Sequence, residues 1–182
     1  MIINQQDHVG FMCGNICQWR QVVLPFLAQG LACGERCVYL TTLHTPWLLE
    51  NLLKWQGIDL QAVKARRQLF ILDASRYYLH RGSLDPDRVI KKNKAAVKAA
   101  LAEGFTGLRS VADAAWAAYH PLEWGSLEEY ELRLNQEFFP HYPATAICLY
   151  DQQLFNPTMH EMVNCTHPLL IDGLGLREGG YF

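Results

Sequence analysis

Cysteine and histidine residues whose spacing could support metal or redox chemistry lie near both ends of the chain. Cys13 and Cys17 are four residues apart, across a turn that leads into a predicted helix. A thiol at a helix N-terminus has a depressed pKa and is reactive, so this pair could bind a metal, sense redox change or stay inert. His160, Cys165 and His167 follow the spacing H-x4-C-x-H, which matches no common zinc module. We therefore predict inert thiols and no metal ligands, with the other two roles as alternatives.

The turn between the first predicted strand and the first predicted helix stands where a nucleotide-binding protein carries its phosphate loop. A working loop has the pattern G-x-x-x-x-G-K-[ST], in which the lysine reaches a phosphate and the hydroxyl binds magnesium. Residues 13–20 are CGNICQWR, with one glycine, no lysine and no serine or threonine. The segment therefore predicts an ATPase-like scaffold that lacks the side chains needed to bind the phosphates and magnesium of ATP.

Five short apolar runs predict the strands that would position these residues. Each run is continuous rather than alternating, which is typical of a parallel sheet covered by helices on both faces. Helix-start signals, a capping residue followed by proline, occur at Thr45-Pro46, Asp85-Pro86 and Asn156-Pro157. The alternation predicts an α/β three-layer sandwich with a mostly parallel sheet. The predicted strands are His8–Cys13, Cys37–Leu40, Gln68–Leu72, Gly107–Val111 and Ala144–Tyr150.

Composition narrows the classes of partner. The chain has 182 residues, half of them hydrophobic, and a formal charge of −2, so we expect one domain over residues 1–182 and no direct nucleic-acid partner. No apolar run is long enough to span a bilayer and no signal peptide is evident, so we expect a cytoplasmic protein without membrane contact. One basic run predicts a solvated helix face, with an anion-binding or partner surface as the alternative. Its residues are Arg88, Lys91, Lys92, Lys94 and Lys98.

A succession of short motifs in a fixed order extends from about residue 7 to 171. The motifs are His8-Val9, 25–31 with 34–37, 68–73, Tyr78-Leu79, 85–88, Gly104-Phe105, 107–109, Ala115-Trp116, Tyr130-Glu131, Leu134-Asn135, 148–151, Phe155 and 166–168. In this order they resemble the MEDS domain, a sensory domain named for methanogens, methylotrophs and the dichloromethane regulator DcmR.

The resemblance implies a fold and a role. It implies a RecA/KaiC-like sheet without a competent phosphate loop, and a function in bacterial and archaeal signalling. Family members are often fused to histidine kinases or helix-turn-helix domains and are thought to sense small molecules, simple hydrocarbon derivatives among them. The implied partners are therefore a small-molecule ligand and a histidine kinase or transcription regulator, and the chain could form homo-oligomers. About 14 residues follow Pro168, so we expect either a stand-alone member or an excised fragment.

The parallel sheet indicates where a ligand would bind. Ligands of open parallel sheets lie at the carboxyl ends of the strands, where strand order reverses. In a RecA-like order the first strand lies between the fourth and fifth, which brings several polar and aromatic residues to one edge. The predicted ligand-binding residues are His8, Cys13, Asp73, Arg109, Asp113, Trp116 and Tyr150.

Each of these residues also has a structural alternative. Asp73 could bind a ligand or cap the next turn. Arg109 is a charge in a buried strand, so we expect it to pair with Asp73 or Asp113 unless it binds the ligand. Trp116 could face the crevice or pack in the core. His8 could contact a ligand or hold the N-terminus in place.

Three functions follow from these observations. The first is a sensory domain that binds a small organic molecule and passes a population shift to a partner. The second is an enzyme with an unconventional RecA-like nucleotide site, and the third is an interaction module without a ligand. No Ser/His/Asp arrangement, H-E-x-x-H motif or close acid pair is present, so we predict no catalytic residues and no cofactor.

Overall fold

A seven-stranded sheet forms the centre of the molecule. The structure is a computed structural model that describes residues 2–181. The sheet order is β3-β2-β6-β7-β1-β8-β9, in which the strands are parallel except for β9. Two further strands, β4 and β5, form a small antiparallel hairpin. The strands are β1 His8–Cys13, β2 Arg36–Thr41, β3 Leu69–Asp73, β4 Leu79–His80, β5 Ser83–Leu84, β6 Leu108–Asp113, β7 Ala144–Asp151, β8 Leu169–Asp172 and β9 Gly175–Glu178.

Helices cover both faces of this sheet. The helices are α1 Ile16–Ala32, α2 Pro46–Trp55, α3 Leu60–Ala65, α4 Ala74–Tyr78, α5 Pro86–Ala102, α6 Trp124–Glu137 and α7 Pro157–Thr166, with short 3-10 turns at Ala115–Tyr119, Pro121–Glu123 and Phe139–His141. Helices α1 to α3 pack on one face around one apolar core, and α4 to α7 pack on the other face around a second. The expected three-layer α/β sandwich is therefore confirmed.

Successive residues of each strand supply the two cores in turn, because side chains alternate between the faces of a sheet. On β7, Ile147 and Leu149 pack against the α1 side, whereas Ala146, Cys148 and Tyr150 point to the α6 side. The continuous apolar runs of the sequence result from this double burial. A polar residue on such a strand is therefore buried and needs a partner.

Local signals located three helix starts correctly, those of α2, α5 and α7. The side chains of Thr45, Asp85 and Asn156 each accept a hydrogen bond from a backbone N–H in the first turn of the helix that follows. Each helix then begins with proline, which lacks the N–H that a cap would have to satisfy.

The predicted position of the first strand is wrong. All five predicted strands occur, and β1 is central and parallel to β7, but β7 lies between β6 and β1. The other neighbour of β1 is β8, which the sequence analysis did not predict. Apolar runs do not encode strand order, because the two neighbours of a buried strand present the same kind of surface. Among the described helices, none combines the length and the apolar composition needed to cross a bilayer.

Candidate functional site

A crevice lies where the carboxyl ends of β1, β6 and β7 meet. Its volume is about 410 Å³, and Cys13 and Asp113 from the predicted site are in its wall, together with Trp19, His44 and Asp151. The Asp113 carboxylate accepts three backbone N–H groups, from Thr42, Leu43 and Ala115, at 2.8 to 3.0 Å. These bonds occupy both of its oxygens, so Asp113 holds the loops around the crevice in place.

Three backbone N–H groups in the turn from β1 to α1 are also hydrogen-bonded within the turn. Asn15 Oδ1 accepts from the N–H groups of Cys17 and Gln18, and Gln18 Oε1 accepts from Gly14 N–H at 2.8 Å. These N–H groups are the ones that would bind a phosphate in a working loop. Burial raises the pKa of the Cys13 thiol, which corrects the expected depression by the helix terminus.

We expect Mg-ATP to bind this chain no more tightly than in the millimolar range, about −4 kcal/mol. The turn offers neither a lysine for the phosphates nor a hydroxyl for magnesium, and three of its N–H groups already donate to the side chains of Asn15 and Gln18. Isothermal titration calorimetry with and without magnesium measures the constant. A micromolar constant that requires magnesium would contradict the prediction.

Arg109 does not pair with either predicted partner. It is buried at the amino-terminal end of β6, whereas Asp73 and Asp113 lie at the carboxyl ends of their strands. Its guanidinium binds the buried carboxylate of Glu35 and lies 4.5 Å from the centre of the Phe26 ring. The predicted Arg109–Asp pair at the strand ends is therefore wrong, and the arginine belongs to a structural ion pair beneath α1.

Two more predicted residues lie outside the crevice. Asp73 is exposed, and its Oδ1 accepts from Arg76 N–H at 2.8 Å, so it caps α4. Trp116 is 1% exposed and stacks on Tyr78 at 5.2 Å between ring centres, inside the α4–α7 core. Asp73 and Trp116 therefore do not line the crevice, although both were predicted to do so. The Asp73 carboxylate caps a helix, and the Trp116 ring packs in the core.

The last two predicted residues, His8 and Tyr150, belong to a buried polar cluster on the α6 side of the sheet. Glu131 Oε2 lies 3.2 Å from His8 Nε2, 3.7 Å from Cys148 Sγ and 3.8 Å from His167 Nε2. His8 Nε2 is also 3.4 Å from Cys148 Sγ. Tyr150 donates its hydroxyl to Glu131 Oε1 at 3.0 Å. Five polar side chains thus meet in the interior, drawn from β1, α6, β7 and the end of α7.

Hydrogen bonds outside the cluster orient both imidazole rings. Asn135 donates its amide to Thr166 O, which turns its oxygen toward His8 Nδ1 at 2.7 Å. His167 Nδ1 lies 2.9 Å from Val163 O, and a carbonyl can only accept. Both rings therefore donate from Nδ1 and direct Nε2 at Glu131.

Burial and hydrogen bonding shift the pKa values in this cluster. Burial lowers the pKa of His167 to about 3, so its ring is neutral near pH 7. Burial would raise the pKa of Glu131, but hydrogen bonds from His8 and Tyr150 outweigh it and the carboxyl pKa falls below its usual value. Burial also raises the pKa of the Cys148 thiol. Within the described part of the chain, His167 Nε2 is buried and makes no hydrogen bond.

Gly10 of β1 leaves the space for one of these rings. A Cβ at this residue would lie 3.0 Å from His167 Cγ and 2.7 Å from Leu170 Cδ2. Real Cβ atoms essentially never come as close as the second of these distances. Glycine therefore lets His167 pack directly over the first strand, within reach of Glu131.

An apolar cavity adjoins this cluster, between the sheet and helices α4 to α6. Its volume is about 180 Å³, and Cys148 forms part of its wall. Leu72, at one end, is 40% exposed, so the cavity reaches the surface beside β3. The wall consists mainly of apolar groups, which include Val38, Leu40, Phe70, Leu108, Ala112, Leu134, Phe138 and Ala146.

The hydrogen-bonding side chains in the cavity wall come from both the sheet and the helices, and they are Arg36, Ser110, Tyr77, Tyr78, Asn93 and Tyr130. Tyr77 donates its hydroxyl to Asn93 Oδ1 at 2.7 Å, and Asn93 donates its amide to the Tyr130 hydroxyl at 2.8 Å. Arg88 and Lys92, from the basic run, donate to carbonyls at the end of α4. Arg88 and Lys92 thus hold two residues of the cavity wall, Tyr77 and Tyr78, in place. The predicted solvated helix face therefore does not describe these two members of the basic run.

Comparison with known proteins assigns the chain to a family. The profile of the methanogen/methylotroph, DcmR sensory domain matches residues 7–168. The chain belongs to the MEDS family. This confirms the resemblance, and it makes the protein a member of a family described as sensory. No curated protein sequence matches this MEDS chain significantly.

Solved structures similar to the MEDS chain share its fold. A KaiC-like protein from the archaeon Pyrococcus horikoshii has a TM-score of 0.60 and 15% identity, and the match covers 91% of this chain and 70% of that one. An uncharacterized protein from the same organism, in complex with an unknown peptide, has a TM-score of 0.68 and 14% identity, with 92% and 77% covered. The KaiC-like fold predicted from the resemblance is confirmed.

The sequence did not reveal two members of the buried cluster of this MEDS domain, Glu131 and Cys148. It grouped the third member, His167, with His160 and Cys165 instead. Cys165 is exposed and does not join His167, so the H-x4-C-x-H spacing brings no metal ligands together. One signal was available for Glu131, because it is a carboxylate on a helix face that also carries the buried Leu127 and Leu134. A charge in such a position needs buried partners.

Proposed function

We propose that this MEDS domain senses a small, weakly polar organic molecule that binds in the apolar cavity between the sheet and α4 to α6. The cavity itself is the observation that supports the proposal. An apolar cavity of about 150 Å³ is large enough to hold benzene, and this one is about 180 Å³. A ligand of the size of benzene or phenol would fit, which agrees with the hydrocarbon derivatives that the family resemblance implies.

The polar side of the cavity would orient such a ligand. Asn93 uses its oxygen for Tyr77 and one amide hydrogen for Tyr130. The Tyr130 hydroxyl accepts through its oxygen and can donate its own proton. A ligand with a hydroxyl or carbonyl group could accept that proton while its carbon skeleton lies against Val38, Leu40 and Ala112.

The crevice at the strand ends is the less suitable binding place for this ligand. Its principal carboxylate, Asp113, already binds three backbone N–H groups, and the turn around Asn15 uses its own N–H donors internally. A small apolar molecule gains most free energy where apolar surface surrounds it, and the inner cavity provides that surface.

Ligand binding would act through the helices that form the cavity wall. Helix α4 is short, and its last carbonyls are held by Arg88 and Lys92 of α5. A ligand that favours one arrangement of α4 and α5 would shift the population toward it. We propose a histidine kinase or a transcription regulator as the partner that responds, and we assign no chemical reaction to the domain.

Phenol is the probe for this proposal. It should raise the melting temperature of the full chain in a concentration-dependent manner and shift NMR signals of residues along the cavity. Ser110→Leu places three more carbons in the cavity and should abolish both effects. Leu43→Trp fills the strand-end crevice instead and should leave them unchanged. If Leu43→Trp abolished both effects and Ser110→Leu left them unchanged, the ligand would bind in the crevice instead. If neither phenol nor toluene bound to the wild type, the proposal would be contradicted.

A further inference from the structure

We propose that His8, Glu131, Cys148 and His167 form a buried binding site for a single zinc-type metal ion. This site adjoins the proposed ligand cavity at Cys148, but the proposal does not depend on a ligand bound there. The ligand-type atoms of these four side chains all lie within 4.8 Å of one another, and all four residues are buried. They supply two imidazole nitrogens, one thiolate sulfur and one carboxylate oxygen, which is a donor set that zinc binds in proteins.

The distances suit a tetrahedral ion. Zinc bonds of 2.0 to 2.3 Å in tetrahedral geometry separate neighbouring ligand atoms by about 3.3 to 3.8 Å. The separations from Glu131 Oε2 are 3.2, 3.7 and 3.8 Å, and His8 Nε2 lies 3.4 Å from Cys148 Sγ. Four of the six separations therefore lie close to the tetrahedral range, and all six are within 4.8 Å.

An unpartnered atom provides the independent observation. His167 Nε2 is buried without a hydrogen bond among the described residues, and it faces the Glu131 carboxylate. The bond from Nδ1 to Val163 O leaves a lone pair on Nε2. A lone pair directed at a carboxylate oxygen in the interior is unfavourable, unless a cation lies between them.

The residues around the four ligands match the support that metal-binding histidines receive. Such histidines donate the second ring nitrogen to a carbonyl or amide oxygen, which fixes the ring and its tautomer. His8 meets this requirement through Asn135, and His167 meets it through Val163. Tyr150 donates to Glu131 Oε1, which leaves Oε2 to face the metal.

The charges of the four ligands suit a divalent ion. A Cys148 thiolate and a Glu131 carboxylate would together neutralise its two positive charges, so the loaded site would carry no net charge, and protons on the ligand atoms would leave to solvent when the ion binds. A closed site with four protein ligands points to a structural ion.

The first experiment is metal titration of the full chain after treatment with a chelator. We expect one equivalent of Zn²⁺ to bind and to raise the melting temperature. Co²⁺ should bind in the same place and produce the charge-transfer absorption of a thiolate ligand. A wild-type protein that binds no stoichiometric Zn²⁺, or a Co²⁺ complex without that absorption, would overturn the proposal.

Variants then identify the ligands. Cys148→Ser and His167→Gln should each weaken Zn²⁺ binding by at least about 100-fold, and Cys148→Ser should remove the thiolate absorption. Cys37→Ser is the matched control, since Cys37 is a buried strand cysteine on the other face of the sheet. Loss of binding in Cys37→Ser or Cys165→Ser, with full binding in Cys148→Ser, would overturn the proposal. If Cys148→Ser fails to fold, the wild-type Co²⁺ spectrum decides the question.

Discussion

Arg109→Leu is expected to lower the free energy of unfolding by about 3–5 kcal/mol. The substitution leaves the Glu35 carboxylate buried without its cation, and an uncompensated buried charge is among the costliest defects in a folded protein. It also removes the guanidinium from the Phe26 ring. Urea unfolding followed by circular dichroism measures the change.

Two further variants test the cause of this effect. The double substitution Arg109→Leu with Glu35→Leu removes both charges and should recover much of the lost stability, because neither group is then left unpaired. Arg177→Leu breaks a half-exposed pair with Asp172 and should cost less than about 1 kcal/mol. Similar losses in all three variants would show that the charge at residue 109 is not responsible.

Trp116→Ala is expected to lower the free energy of unfolding by about 3–5 kcal/mol, because it empties the space of a large, fully buried side chain. The ring stacks on Tyr78, whose own side chain lines the proposed ligand cavity. The same substitution would have left the fold intact if Trp116 faced the strand-end crevice. Thermal and urea unfolding distinguish the two positions.

Other tryptophan substitutions provide the controls for this measurement. Trp55→Ala removes a side chain that is 79% exposed and should change the free energy of unfolding by less than about 0.5 kcal/mol. Trp116→Phe keeps most of the apolar volume and removes an indole N–H that is buried without a partner among the described residues. It should therefore cost much less than Trp116→Ala. Equal, small effects of all three would place Trp116 outside the core.

Features that depend on neighbouring residues could be predicted from the sequence. A helix cap acts over three or four residues, so Thr45, Asp85 and Asn156 marked helix starts correctly. Double burial of a parallel strand requires a continuous apolar run, which revealed five of the seven strands of the main sheet, namely β1, β2, β3, β6 and β7. Strands β8 and β9 are short and partly exposed, so the same pattern did not reveal them.

The candidate site was harder to predict, because its residues meet only through long-range packing. Of the seven predicted ligand-binding residues, Cys13 and Asp113 line the crevice at the strand ends. Arg109 lies at the opposite end of its strand, and Trp116 lies in the core. The prediction treated every polar or aromatic residue near a strand end as facing the same crevice, although the direction of each side chain depends on the packing around it.

The sequence by itself determined the class of fold, the starts of α2, α5 and α7, the family and the altered turn at Cys13 to Arg20, since all of these depend on residue types at short spacing. Only the tertiary structure decided the order of the strands, the Arg109–Glu35 pair and the cluster around Glu131. Those contacts join residues from distant parts of the chain. They form when sheet and helices pack together, and buried polar groups then bind the partners that this packing brings within reach.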